Sequence, residues 1–238
     1  NITYNFNVFS DIALSTIVDS IAYYNNSLNP ISWEIDAMLP DNNQYFWNAY
    51  ANDGYELSLS SEIGSFVINT SNDAPSQVSL LFPSDNISIS DISPEFHWTE
   101  SIDPDPLDSI HYSVYLWGAN SDEAQTNNTD SNSVSFSLNL DDNSSYSWMV
   151  TSFDMYDEYS QSDTGYFFTD LIPEPPYNFA TISPENEMEG VSSTVEFIWN
   201  QTTDPDPMEQ INYQLVYSTN WEDSSAYIYS DLIQDTSI

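Results

Sequence analysis

Apolar and polar residues alternate with a period of two along most of this chain. The clearest run alternates with serine and asparagine and contains Val134, Phe136, Leu138 and Leu140. Because successive side chains of a strand point to opposite faces of a sheet, such a run predicts a strand with one buried face. Clusters of Asn, Asp, Pro and Ser separate the runs at short spacing. The pattern predicts an all-β chain without a convincing amphipathic helix; a short helical stretch near residues 14–21 is the one alternative left open.

The whole pattern repeats with a period of 101 residues. Trp98 recurs as Trp199, and the run Asp-Pro-Asp-Pro at 103–106 recurs at 204–207. In the other direction, two aromatic residues of one unit match those of the unit before it, Tyr146 with Tyr45 and Trp148 with Trp47. Self-similarity at a fixed period is the signature of tandem structural units.

A unit of about 100 residues with roughly seven such strands is typical of an antiparallel β-sandwich. Residues 1–73 are then the C-terminal part of one sandwich, with strands C to G. Residues 74–173 form a complete sandwich, and residues 174–238 are the N-terminal part of a third. The core of an incomplete sandwich cannot close, and open edge strands pair readily with other chains. We therefore expect flanking repeats of the same chain, or copies of it, to complete both halves.

The aromatic and leucine positions of these units resemble those of fibronectin type III repeats. The strand-B tryptophans, the strand-C tyrosines, the leucines before strand F and the strand-F tyrosines carry the resemblance: Trp98, Trp199, Tyr112, Tyr213, Leu39, Leu140, Tyr45 and Tyr146. Segment 39–47 and linker 69–75 are similar to those of prokaryotic (bacterial or archaeal) cell-surface proteins, although Asn48 stands where an arginine is common. The resemblance implies tandem fibronectin type III/Ig-like sandwiches, and such modules are mostly structural, adhesive or spacer elements.

The chain contains no lysine or arginine against 38 aspartates and glutamates, and its formal charge is −38. Such a polyanion cannot neutralise phosphates and is repelled by anionic membranes, so we expect no nucleic acid and no direct anionic-membrane binding. It offers no cleavage site to trypsin-like proteases, which favours an extracellular or cell-surface location. The sequence has no Ser-His-Asp arrangement, phosphate loop or zinc-ligand spacing, and its two histidines, His97 and His111, should face outward from different sheets. We therefore predict that the protein is not an enzyme.

The family topology places acidic residues where successive units meet, because the B–C and F–G loops lie at the same end of a sandwich as its N-terminal linker. At the first junction this group comprises Asn72, Asp73, Asp103, Asp105, Asp108, Asp154 and Asp157, and the third unit repeats it with Glu174, Asp204, Asp206 and Glu209. Converging carboxylates without lysine or arginine need a hard cation, and Ca²⁺ is the natural candidate. The alternative is that Asp and Pro form only a rigid, solvated turn.

Seven N-x-S/T sequons are compatible with a secreted glycoprotein, at Asn1, Asn25, Asn69, Asn86, Asn127, Asn143 and Asn200. Two tryptophans, Trp117 and Trp221, fall outside the inward-facing register. For these we favour packing against an edge strand or a neighbouring subunit over sugar binding.

These observations favour a non-enzymatic structural protein outside the cell. It would be a segment of a long repeat array that forms a surface layer (S-layer), filament or stalk and binds divalent cations. One alternative is an adhesin arm that binds glycans, and another is a set of accessory repeats of a secreted hydrolase. Regular assembly would favour the structural protein. Binding to glycans that is lost in Trp117→Ala would favour the adhesin arm. Catalytic residues elsewhere in the gene would favour the accessory repeats of a hydrolase.

Overall fold

The computed structural model describes residues 2–24, 30–118, 121–137 and 139–234. Their regular structure is β-strand apart from one 3₁₀ turn at Ser224–Ala226, so the prediction of an all-β chain is confirmed. None of these residues belongs to a helix that could cross a membrane. The predicted strand position Leu138 and the sequons at Asn1 and Asn25 lie outside the described residues.

The first unit is one four-stranded antiparallel sheet. Its strands are β1 (Thr3–Phe9), β2 (Ile17–Tyr24), β3 (Asn43–Asn52) and β4 (Gly64–Ile68), in the order β2-β1-β3-β4. This is the order C′-C-F-G of a sandwich of the immunoglobulin type, in which the sheet built from strands A, B and E lies on the other side.

The short helical stretch left open near residues 14–21 does not form. Residues 17–24 form strand β2, which pairs antiparallel with β1 so that Phe6 lies opposite Ile21. The carboxylate of Asp11 accepts hydrogen bonds from the backbone N–H groups of Ser15 and Thr16, which shapes the turn before this strand. Pairing along the free edge of β1 satisfies more backbone groups than a short isolated helix could, and it decides the local structure.

The middle unit is a complete two-sheet sandwich. Its strands are β5 (Leu80–Phe82), β6 (Ile87–Ile89), β7 (Glu95–Trp98), β8 (His111–Gly118), β9 (Ser121–Thr129), β10 (Ser133–Ser135), β11 (Ser144–Phe153), β12 (Tyr159–Gln161) and β13 (Gly165–Thr169). One sheet has the order β10-β7-β5, which is E-B-A. The other has the order β6-β13-β11-β8-β9, which is A′-G-F-C-C′, and β12 pairs with β11 as a short hairpin.

One strand pair departs from the expected antiparallel arrangement. Strand β6 runs parallel to β13, with Ser88 opposite Phe168 and Ile89 opposite Thr169. The N-terminal segment of the unit therefore pairs first with the B strand through β5 and then with the G strand through β6. This exchange covers the outer edge of β13, which would otherwise be open to pairing with another chain.

The core of the middle unit is built from the facing aromatic side chains of its two sheets. Phe96 packs edge-on against Trp148 across the sandwich, with ring centroids 5.0 Å apart, and Trp98 packs against Tyr112 at 5.4 Å. The Trp98 and Trp148 side chains have no exposed surface. Burial of each such side chain stabilises the fold by about 1.5–3 kcal/mol. The hydroxyl of Tyr146 accepts a hydrogen bond from the Asp141 N–H at 2.8 Å, which fixes the start of β11.

The third unit contributes two strand pairs. Strands β14 (Thr181–Ser183) and β15 (Ile198–Trp199) pair with each other, as do β16 (Val216–Tyr217) and β17 (Ile228–Tyr229). Trp199 and Tyr213 are buried and their ring centroids lie 5.5 Å apart, close to the 5.4 Å between the Trp98 and Tyr112 rings of the middle unit. The same B-to-C strand contact therefore forms in both units.

The first unit presents an apolar sheet face that has no second sheet over it among the described residues. Trp47 is 39% exposed, whereas its repeat counterpart Trp148 is fully buried. Phe6, Trp33 and Phe66 line the same groove, and Trp33 lies in the segment between β2 and β3. That segment covers only part of the face that strands A, B and E cover in the middle unit.

Candidate metal centres at the junctions between units

The loop between β7 and β8 carries the Asp-Pro-Asp-Pro run and folds back on itself. The carboxylate of Asp103 accepts the backbone N–H of Asp105 at 2.8 Å, which is a turn that aspartate forms readily. Pro104 and Pro106 fix the φ angle on either side of Asp105. The result holds Asp105 inside the loop with only 2% of its surface exposed.

Asp105 also holds the linker that leads into the middle unit. Its Oδ2 atom accepts the backbone N–H of Asp73 at 2.8 Å. The side chain of Asp73 accepts a hydrogen bond from Asn42 of the first unit at 2.8 Å. The neighbouring Asn72 donates its side-chain N–H to Oδ2 of Asp154, at 2.6 Å, in the loop after β11. Linker residue 73 is therefore bonded to the unit before it and to the unit after it.

The second junction repeats this arrangement one period later. Oδ2 of Asp206 accepts the backbone N–H of Glu174 at 2.9 Å, and Asn143 donates to the Glu174 carboxylate at 3.1 Å. The carboxylate of Asp204 accepts the N–H of Asp206 at 3.0 Å. Asp206 is 3% exposed, so the buried aspartate is reproduced as well.

Three carboxylates converge at the first junction. Asp103, Asp105 and Asp108 each place an oxygen within 4.8 Å of the others' oxygens. Three buried oxygens in this cluster have no hydrogen-bond partner among the described residues, namely Asp103 Oδ2, Asp105 Oδ1 and Asp108 Oδ2. A buried oxygen of this kind is costly unless something else compensates it.

The electrostatics of this first cluster disfavour three bare charges. Partial burial raises the pKa of the Asp108 carboxyl above its usual value, and the negative charges of Asp105 and Asp154 raise it further. Burial also raises the pKa of Asp103, reinforced by the charges of Asp105, Asp108 and Asp154 and opposed by the N–H bond from Asp105. Asp154 has no exposed surface and already accepts N–H groups from Tyr156 and Glu158.

A second group of three carboxylates lies at the second junction. Asp170, Asp206 and Glu209 bring one oxygen each to within 4.8 Å of one another. The Oδ1 atom of Asp206 is buried and has no partner among the residues that the structure describes. Burial raises the pKa of Asp170 and of Glu209, and in both cases the charge of Asp206 is the next largest cause.

The arrangement at both junctions presents anionic oxygen ligands and no compensating side-chain cation. The sequence contains no lysine or arginine, so such compensation cannot come from either side chain anywhere in the chain. Hard cations such as Ca²⁺ take carboxylate oxygens as ligands and tolerate irregular geometry. Both clusters have the donor set that such an ion takes.

Some of the predicted site residues lie at the two acidic clusters, and others lie outside them. Asn72 and Asp73 contact the loops that carry Asp154 and Asp105. Asp157 lies exposed outside the first cluster, and Asp204 supports Asp206 without belonging to the second one. Sequence reasoning missed Asp170, because its repeat counterpart is the neutral Asn69 and the period therefore gave no signal there.

The histidines lie apart from both clusters. His97 is on β7 with its Nε2 atom 3.4 Å from a carboxylate oxygen of Glu95. His111 is on β8 in the other sheet, stacked on Phe153 with ring centroids 5.3 Å apart.

The predicted aromatic and glycosylation positions occupy varied surroundings. Trp221 is 59% exposed and packs edge-on against Tyr227, whereas Trp117 is half-buried. The sequon asparagines Asn69, Asn86, Asn143 and Asn200 are exposed and Asn127 is half-buried.

The strand order of the middle unit, A-B-E on one sheet and A′-G-F-C-C′ on the other, defines a fibronectin type III-like sandwich of the Ig type. The flanking units contain parts of the same arrangement. The chain thus belongs to the class of tandem β-sandwich proteins.

No family model matches this chain, and no curated protein matches it. Among solved structures it is similar to the crystal structure of chicken CNTN1 FN1-FN3 domains, with 13% sequence identity and a TM-score of 0.38. That match covers 99% of this chain and 77% of the other. The likeness is too weak to carry an argument about function, and the fold assignment rests on the strand order.

Proposed function

We propose that this protein is a non-enzymatic structural segment of an extracellular repeat array, with its junctions stiffened by bound divalent cations. The observation that carries the proposal is the doubly bonded linker residue, Asp73 at one junction and Glu174 at the next. Each is held by an asparagine of the preceding unit and by a buried aspartate of the following one. A flexible linker between domains needs no hydrogen bonds to both neighbours, whereas a repeat array that keeps its units at fixed positions does.

Calcium is the ion that best fits the junction chemistry. The first cluster offers oxygens of Asp103, Asp105 and Asp108, the second those of Asp170, Asp206 and Glu209, and water can fill the remaining positions of a six- to eight-coordinate ion. Magnesium fits less well because it demands near-ideal octahedral geometry at shorter distances. Ion binding would compensate the buried oxygens that have no hydrogen-bond donor.

The surface chemistry supports a location outside the cell. A formal charge of −38 with no lysine or arginine suits a medium rich in cations and leaves no trypsin-type cleavage site. The exposed sequons at Asn69, Asn86 and Asn200 are accessible to glycosylation. The assembly would be a surface layer, filament or stalk, like those built by prokaryotic cell-surface repeats.

The uncovered face of the first unit indicates how the array would continue. In the middle unit, strands A, B and E cover Trp148, and in the first unit the counterpart Trp47 is 39% exposed. A flanking repeat or another copy would supply the covering strands. The partners of this chain would then be repeats like its own, together with divalent cations.

Self-assembly in calcium tests the structural role. The purified chain should form ordered oligomers or larger regular assemblies in millimolar calcium and dissociate in chelator, as followed by sedimentation velocity and negative-stain microscopy. Trp47→Ser should reduce assembly several-fold, because it removes apolar contact area from the uncovered face. The matched control is Trp221→Ser, which removes an exposed tryptophan elsewhere. A chain that remains monomeric at high concentration in calcium contradicts assembly through this face.

A glycan-binding arm is the second candidate, and one observation favours it. Tyr55 and Tyr156 occupy the same repeat position after the F strand and are 93% and 62% exposed. Exposed aromatic rings of this kind can stack on sugar rings. Retention on a glycan array that is lost in Tyr156→Ala, with Trp117→Ala as a second variant, would support the adhesin role over the purely structural one.

A further inference from the structure

The two acidic clusters differ in which units supply their oxygens. Asp103, Asp105 and Asp108 all lie in the B–C loop of the middle unit, between β7 and β8. In the second cluster, Asp170 directly follows β13 of the middle unit, whereas Asp206 and Glu209 lie in the B–C loop of the third unit. The second cluster therefore takes its ligands from two sandwiches.

Asp170 is held in place by the middle unit. Its backbone N–H donates to the carbonyl of Ile89 at 2.9 Å, which continues the pairing of β13 with β6. The neighbouring Leu171 N–H donates to the carboxylate of Asp142 at 2.6 Å. The backbone at Asp170 is thus held by the middle unit, whereas Asp206 and Glu209 lie in a loop of the next unit.

The burial of Asp206 is a second observation, separate from the clustering of carboxylates, that indicates a ligand at the second cluster. Asp206 is 3% exposed, and its Oδ2 atom is used by the Glu174 N–H. Its Oδ1 atom is buried and has no donor among the described residues. A carboxylate oxygen of Asp206 lies within 4.8 Å of one oxygen of Asp170 and one of Glu209. A buried carboxylate oxygen left in this way, beside two further carboxylates, is compensated when a cation binds there.

We propose that Asp170, Asp206 and Glu209 form a bridging calcium site, whose ion fixes the orientation of the third unit relative to the middle unit. The first cluster lacks this bridging carboxylate because the counterpart of Asp170 is Asn69. The ion at the first cluster would be held by carboxylates of one unit and would act on the linker through the bond between Asp105 and Asp73. The ion at the second cluster would be held by carboxylates of both units. This inference rests on the proposed cation-binding function and assigns a separate role to one of its sites.

Two readouts on the whole chain test the bridging site. Calcium binding is measured by isothermal titration, and the distance between spin labels at Ser131→Cys and Gln201→Cys is measured by pulsed electron resonance in calcium and in chelator. The chain has no native cysteine, so these labels are unique. The parent should bind two calcium ions, and the distance distribution between its labels should be narrower in calcium than in chelator.

The variants separate the two sites. Asp170→Asn should lower the affinity of one site at least ten-fold and leave the distance distribution broad in calcium. Asp108→Asn should lose the ion of the first cluster, and its spin-label distance distribution should still become narrower in calcium. Asp130→Asn, which removes an exposed carboxylate outside both clusters, should change neither readout. Hydrogen exchange of β14 and β15 shows whether Asp170→Asn still folds the third unit.

The possible failures are distinguishable. If Asp170→Asn keeps both ions at unchanged affinity, or if its distance distribution still narrows in calcium, the bridging role is wrong while junction calcium stands. If the parent binds no calcium at all, the proposed cation-binding function fails and the bridging site fails with it.

Discussion

Replacing Trp148 by alanine is expected to destabilise the middle sandwich by about 3–5 kcal/mol. The side chain is fully buried between the two sheets, packs against Phe96 at 5.0 Å and donates its Nε1–H to the carbonyl of Pro83 at 3.2 Å. Its loss would leave a cavity and an unpaired carbonyl. Because domains of this size are stable by only about 5–15 kcal/mol, the unit should be largely unfolded under mildly destabilising conditions.

The repeat supplies a matched control for this variant. Trp47 occupies the same position in the first unit but is 39% exposed, so Trp47→Ala should destabilise its sheet by roughly 1–2 kcal/mol. Hydrogen exchange read by mass spectrometry after pepsin digestion resolves peptides from β11 and from β3 separately. Equal losses of protection in the two units would contradict the assignment of a closed core to the middle unit and an open face to the first.

Asp108→Asn is expected to change stability in opposite directions with and without calcium. In chelator the variant should melt roughly 2–5 °C higher than the parent, because it removes one of three crowded carboxylates whose oxygen has no donor. In millimolar calcium it should melt roughly 5–10 °C lower, because it loses an anionic ligand and with it part of the stabilisation from ion binding. The side chain makes no hydrogen bond at its buried Oδ2 atom, so the substitution disturbs little else.

The gain in stability that Asp108→Asn shows in chelator should depend on pH in a defined way. Burial and the charges of Asp105 and Asp154 raise the pKa of Asp108 in the folded state. The ionised carboxylate therefore destabilises the fold at neutral pH, and the gain from Asp108→Asn is fully present above the raised pKa. It should be lost as the pH falls through that raised pKa, and it should be absent below the unfolded-state pKa of about 3.9, where both states are protonated. Asp130→Asn, which removes an exposed carboxylate outside both clusters, should not show the reversal with calcium.

The repeat and the period-two pattern predicted most of the fold. Alternation placed Phe96, Trp98, Tyr146 and Trp148 on inward faces, and all four are buried. The parallel pairing of β6 with β13 had no signal, because three residues of strand cannot specify which sheet they join. The sequence left a short helix open where strand β2 forms, because pairing with the free edge of β1 is a tertiary contact that local sequence does not encode.

The sequence predicted the site residues that recur in both repeats and missed the one that does not. Asp105 and Asp206 lie in the repeated Asp-Pro-Asp-Pro run, which marked them as site candidates. Asp170 has no acidic counterpart, and its place in the second cluster depends on where β13 ends relative to the third unit. Asp157 lies near Asp154 in sequence, but the backbone turns at Asp157, with φ at 70°, and its side chain stays exposed.

Thermal unfolding of the whole chain in chelator and in millimolar calcium tests the central claim most directly. Calcium that saturates the junction sites at about 100 times its dissociation constant adds about 2.7 kcal/mol per site, which corresponds to a rise in melting temperature of about 10 °C or more. Sodium at matched ionic strength should give only a small rise from screening. Superimposable melting curves in calcium and in chelator would contradict the account of the junctions as cation sites.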